Sequence, residues 1–151
     1  MLRRFLSLAC VGLFCTLAAC GGVPEDGSSA AEWRSLAADA AEDRAWIEDR
    51  QKEARDMHTR VRQLIGIVPE EQPKFKALVD FYVRLSRQED ALSEAVSIYD
   101  PVLERIWTGR GFPSIDSARA AQASALARAK APGQQIEILR EEFKSLSADS
   151  K

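Results

Sequence analysis

Few side chains in this chain are of a type that could do chemistry, and they lie far apart. His58 is the one histidine, a group that elsewhere serves as general acid, general base or metal ligand. The three cysteines, Cys10, Cys15 and Cys20, all fall in the first twenty residues, so no thiol remains downstream for a disulfide or a nucleophile. Residue 55, three before His58, is an arginine, which removes the Glu-x-x-His spacing that di-metal helical bundles use. His-Glu-x-x-His, Gly-x-Ser-x-Gly and a phosphate-cradling glycine loop are absent from the sequence as well. Glu70-Glu71 and Glu141-Glu142 are adjacent acids; on a helix they diverge by about 100° and read as solvated surface. His58 flanks an apolar seam and reads as an ordinary half-buried side chain. The expectation is a protein that is not an enzyme, with no catalytic, cofactor-binding or metal-ligating residue.

Cys20 is the residue whose chemistry its neighbours specify. Arg3-Arg4 opens the chain, an almost wholly apolar run follows from Phe5 to Phe14, and the small pair Ala18-Ala19 precedes the cysteine. That order is the order of a secretory signal peptide. The apolar stretch is shorter than the roughly 20 residues a bilayer-spanning helix needs. Leu17-Ala18-Ala19-Cys20 resembles the lipobox of bacterial lipoproteins, a resemblance confined to this leader. It implies cleavage before Cys20, a diacylglyceryl group on the Cys20 thiol and acylation of the new amino terminus. Each buried CH₂ adds about 0.8 kcal/mol, and a single chain holds a protein only marginally whereas two or more hold it stably. Gly21 follows Cys20 where lipoproteins retained at the inner membrane carry Asp, so the resemblance implies an outer-membrane protein facing the periplasm.

The resulting division is a cleaved signal peptide over 1–19, a flexible tether over 20–29 hanging from lipidated Cys20, and a helical domain over 30–148. The tether, Gly21 to Ser29, is rich in Gly and Ser and cannot bury apolar surface. The whole chain has 21 basic and 23 acidic residues and a formal charge of −2; removal of Arg3 and Arg4 makes the remainder more acidic still. A broad basic surface for nucleic acid is therefore not expected.

Three amphipathic segments follow the tether. Ser29 and Glu32 have the spacing of a helix capping box. From Trp33 to Leu64 a seven-residue count places Trp33, Ala40, Ile47, Ala54 and Val61 at one seam position and Leu36, Asp43, Arg50, Met57 and Leu64 at the other, Asp43 and Arg50 being the polar members. Gly66 and Pro69 end that segment and Pro73 opens the next. From Phe75 to Ile106 the seam is interrupted by Glu89 alone, and Val79, Phe81, Ala95 and Val102 widen it, as in a helix buried against two neighbours. Thr108 to Pro113 turns the chain and Ser114 caps a third segment, whose seam keeps its phase from Ile115 through Gln122 to Leu146. Proline inside a helix costs about 3 kcal/mol, so a kink near Pro101 and a break or bend near Pro132 are expected.

Short connections force neighbouring helices to run antiparallel. The predicted fold is an all-α, up-down-up bundle of three long helices. Pairing the first two end to end sets Arg50 opposite Glu89, which predicts a structural ion pair that fixes register. Asp43, with no partner apparent, is expected to tilt to water. Trp33, Trp46 and Trp107 are all expected toward the tether end, beside the alanine-rich start of the third segment. Thr108-Gly109-Arg110-Gly111-Phe112-Pro113 is the most distinctive connection, and Arg110, Phe112 and Trp107 are the candidates for binding a partner, since arginine and aromatics are enriched at interface hot spots.

The functional expectation is a lipid-anchored protein of the bacterial cell envelope: a non-catalytic helical adaptor or structural subunit of a membrane-associated assembly. It would need no cofactor and bind the membrane through acylated Cys20 and a protein partner through its surface. An inhibitor or immunity-type lipoprotein that caps a toxin or hydrolase is the alternative, as is a periplasmic chaperone-like binder. Coiled-coil seams do not say whether helices pair within or between chains, so a homo-oligomer stays open.

Overall fold

Ser29 begins the first helix as its spacing predicts. In the computed structural model, which describes residues 27–148, Ser29 is extended (φ −76°, ψ 151°) and its Oγ accepts the Glu32 N–H at 3.2 Å. The Glu32 carboxylate in turn accepts the Ser29 N–H at 2.7 Å, so two donors that a helix start leaves without partners are satisfied reciprocally. Helix α1 runs Ala30–Ile65, α2 Pro73–Thr108 and α3 Ile115–Ala148. Pro73 is the first residue of α2, where its missing N–H costs nothing. Gly109 closes α2 in the left-handed conformation (φ 61°), which glycine adopts without strain. Ser114 and Ser117 cap α3 by exchanging backbone N–H and Oγ bonds, each 3.2 Å. No strand occurs among the described residues. The signal peptide expected over 1–19, Cys20 and most of the expected tether lie outside the described residues.

The directions of the helices follow from which residues meet. Tyr99 meets Ala40, Ser93 meets Gln51 and Glu89 meets His58, so numbering rises along α1 as it falls along α2. Arg84 meets Glu142 and Phe81 meets Phe143, which makes α2 and α3 antiparallel too. Along α1 and α3 the pairs Trp46 with Gly133, Arg50 with Glu137 and Glu53 with Arg140 advance together. The bundle is therefore up-down-up, and α2 packs against both neighbours more extensively than they pack against each other.

The seams form the core. Ile47, Leu78, Phe81, Leu85, Leu92, Tyr99 and Ile136 are fully buried, and each large apolar side chain taken from water contributes about 1.5–3 kcal/mol. The Phe81 and Phe143 rings lie 5.8 Å apart at a tilt of 33°. In the first half of α3 three of the five buried positions are alanines, Ala118, Ala125 and Ala129, beside Ile115 and Gln122, and these small residues make room for larger ones such as Tyr99.

Three expectations are corrected. The break considered at Pro132 does not occur: α3, like α2, is one continuous helix through its proline. The apolar seams keep phase through both positions, and burial of a continuous face offsets the hydrogen bond each proline forgoes. The Arg50–Glu89 pair is not formed either. Arg50 bonds Glu53 at 2.7 Å on its own helix and Glu137 at 2.9 Å on α3, while Glu89 bonds His58 at 2.9 Å. Residue counting along two helices ignores the third: Arg50 sits on the flank of α1 that faces α3, and Glu89 on the flank of α2 that faces α1. Asp43, finally, does not tilt freely to water, because Tyr99 and Gln122 both reach it.

Candidate interaction surface

One end of the bundle gathers the start of α1, the end of α2 and the start of α3. Trp107, in the last turn of α2, is 59% exposed there. Arg110 is exposed on the adjoining connection, residues 109–114, whereas Phe112 is half-buried and packs against the core. The Arg105 guanidinium lies over the Phe112 ring, 4.1 Å from its centroid, and also donates to the Gly111 carbonyl. Gly111 has φ 82°, and a Cβ there would come within 2.9 Å of Arg105 Nε. The connection is thus braced by Arg105 and presents Arg110 and Trp107 outward. Of the three residues nominated from sequence, two share an exposed surface and Phe112 serves mainly to hold the loop. Arg105 was missed, since nothing in its helical spacing marks it as the brace.

Of the three tryptophans expected toward the tether end, Trp33 and Trp107 lie there and Trp46 lies near mid-rod. Trp33 is buried near the start of α1. Trp46 lies well along the rod against Gly133, where a Cβ would come within 2.4 Å of the indole Cη2. Glycine at 133 is what lets the ring approach the α3 backbone.

Below this end lies a buried polar layer drawn from all three helices. The Tyr99 hydroxyl is 3.0 Å from the Ala40 carbonyl and 3.2 Å from Asp43 Oδ2, and Gln122 donates to the same carboxylate oxygen at 2.8 Å. Burial first, and then the Asp43 charge, pushes the Tyr99 phenol well above its ordinary pKa of 10.0. A phenol held neutral donates a hydrogen bond but is no general base near neutrality. The layer is a satisfied polar network that fixes which residues of the three helices face one another.

Farther along, α1 and α3 are tied by charge: Glu53 bridges Arg50 and Arg140 at 2.7 and 3.2 Å. A shallow groove of about 450 Å³ opens beside this network, with Met57 and Phe143 among its lining and Lys52, Arg60, Arg140 and Lys144 facing Asp49, Glu53 and Asp56. On the α2 side Arg84 makes a bidentate pair with Glu142, so Glu142 is a helix-to-helix contact and Glu141, held by Lys144 and Arg140, is the more solvated acid. Those two partners lower the Glu141 pKa. His58 packs against Tyr82 with the ring centroids 4.4 Å apart and the planes tilted by 57°, and it shares Glu89 with Arg55, whose Nε is 3.9 Å away. Among the described residues no group of three or more His, Cys, Asp or Glu side chains is arranged to hold a metal ion, and no helix is long and apolar enough to cross a membrane.

Comparison of the chain with protein-family models, with curated proteins and with solved structures finds no match in any of the three.

Proposed function

We propose that this protein is a lipid-anchored component of the bacterial cell envelope that works without catalysis, as an adaptor or structural subunit that joins a membrane to a protein partner. The observation that carries the reading is Leu17-Ala18-Ala19-Cys20, set after a basic pair and an apolar run and before a Gly- and Ser-rich tether. The rod supports it in a second way. Three helices locked by caps, a polar layer and interhelical ion pairs make a rigid spacer, about 50 Å long at 1.5 Å per residue. Such a spacer, held at one end, offers its length and far end to a partner.

Acyl labelling and membrane fractionation of the full chain and of Cys20→Ser test the anchor. The wild type should take up label and sediment with membranes, and Cys20→Ser should lose both; a Cys20→Ser protein that stays on membranes would refute the anchor. Affinity purification of the acylated protein tests the adaptor. One dominant companion supports it, whereas many unrelated companions would favour a chaperone-like binder instead.

A further inference from the structure

The end of the bundle where α1 begins is the end the proposed anchor would hold nearest the bilayer, and it carries the most exposed aromatic side chain described. Trp107 lies eight residues beyond Tyr99, whose hydroxyl meets Ala40; Glu32 lies eight residues before Ala40. Trp107 is therefore level with the first turn of α1, beside the point where the chain enters from Cys20. Ala30 lies ten positions after Cys20, a reach of about 36 Å at full extension and less in a coil.

Resting on the anchor reading, we propose that Trp107 and Arg110 form a bilayer-contact face: the indole seats among the lipid headgroups and the guanidinium lies beside it at the phosphates. An indole pairs a large apolar ring with one N–H donor, which is why tryptophan collects at membrane–water interfaces. An isolated exposed indole on a polar helix end falls far short of the roughly 800 Å² per partner that a stable protein interface buries, but it suffices when acyl chains already hold the protein at the surface. Exposed charges near it are mixed, with Arg34, Arg110 and Arg119 offset by Glu104 and Asp116, so the contact does not depend on anionic lipid. The rod then stands with its α1–α2 connection, residues 66–72, directed away from the membrane.

The test uses the acylated full chain reconstituted into phosphatidylcholine vesicles, with and without lipid brominated high on the acyl chain. Trp33, buried, and Trp46, half-buried against Gly133 partway along the rod, supply the background emission. Wild-type emission should fall by roughly a third in brominated vesicles, the share of one interfacial tryptophan among three, and Trp107→Phe should show no fall. Circular dichroism melting should be unchanged in Trp107→Phe, because an exposed ring contributes little to the fold. Absence of quenching in a wild-type protein that carries its acyl chains and floats with the vesicles would overturn the contact face while leaving the anchor intact, and would return Trp107 to a protein partner. Equal quenching in both proteins would overturn it as well. A protein that carries no acyl chain and does not float would overturn anchor and contact face together.

Discussion

The indole of Trp46 on α1 rests so closely on Gly133 of α3 that a methyl group at residue 133 would sit 2.4 Å from the ring's Cη2. A glycine inside a helix ordinarily costs about 0.5–1 kcal/mol against alanine. Here it admits the largest side chain on that flank, next to a buried proline. Arg50 adds to the arrangement, with its guanidinium 5.8 Å from the Trp46 ring centroid.

Gly133→Ala should therefore destabilise the protein, by about 1–2 kcal/mol once the crowding penalty is set against the helix-propensity gain. In a Trp46→Ala background the same substitution should change sign and stabilise by about 0.5–1 kcal/mol. Urea unfolding of the four proteins reads both values. A Gly133→Ala protein more stable than wild type would show that the ring yields without cost.

The polar layer predicts an alkaline response. Because burial raises the Tyr99 pKa in the fold, the unfolded chain releases this proton first as pH rises. Stability from this group is full below the ordinary value of 10.0 and declines above it. Tyr99→Phe should lose about 1–2 kcal/mol at neutral pH, where a hydroxyl partner of Asp43 and Ala40 is removed. It should also show a shallower fall in melting temperature above pH 10 than wild type. Identical alkaline profiles for the two proteins would contradict the assignment.

Arg50 and Glu89 do not touch, so Arg50→Leu and Glu89→Leu should be additive in a double-mutant cycle, within about 0.3–0.5 kcal/mol. Arg50 should couple to Glu137 instead, modestly, since Glu137 is 44% exposed and pairs in contact with solvent are worth about 0.2–1 kcal/mol. A coupling between Arg50 and Glu89 larger than that between Arg50 and Glu137 would overturn the flank assignment.

Pro101 sits exposed within unbroken α2. Pro101→Ala restores a helical N–H, and the chain should gain about 1–3 kcal/mol, reduced by the greater freedom of the unfolded state. Pro132 is buried, so Pro132→Ala also removes packed ring atoms and should gain less. Thermal melting of the two variants checks the order.

Much of the architecture is legible in the residues. Ser29 with Glu32, Pro73, the glycine at 109 and Ser114 mark helix limits through local hydrogen bonds and φ preferences, which neighbouring residues carry on their own. The seams are legible for the same reason, since their period is local. What escapes is whatever needs three helices at once. Asp43, Tyr99 and Gln122 each occupy a seam position, yet nothing local says that they meet. Arg50 was matched to Glu89 by a count along two helices, when its flank belongs to α3. Gly133 after a proline looks like a helix breaker, and only the Trp46 ring above it explains why a glycine is there. In the candidate surface Trp107 and Arg110 stand out as large or charged residues beside a glycine-rich turn, but the inward engagement of Phe112 depends on Arg105, a residue with no distinguishing context in sequence.

The central claim is that Cys20 becomes the acylated first residue of the working protein. The intact mass of protein extracted from bacterial membranes tests it most directly. The expected result is a chain that begins at Cys20 with diacylglyceryl and further acyl mass on that residue; a chain that retains Met1, or one that starts at Cys20 with a free thiol, would contradict it.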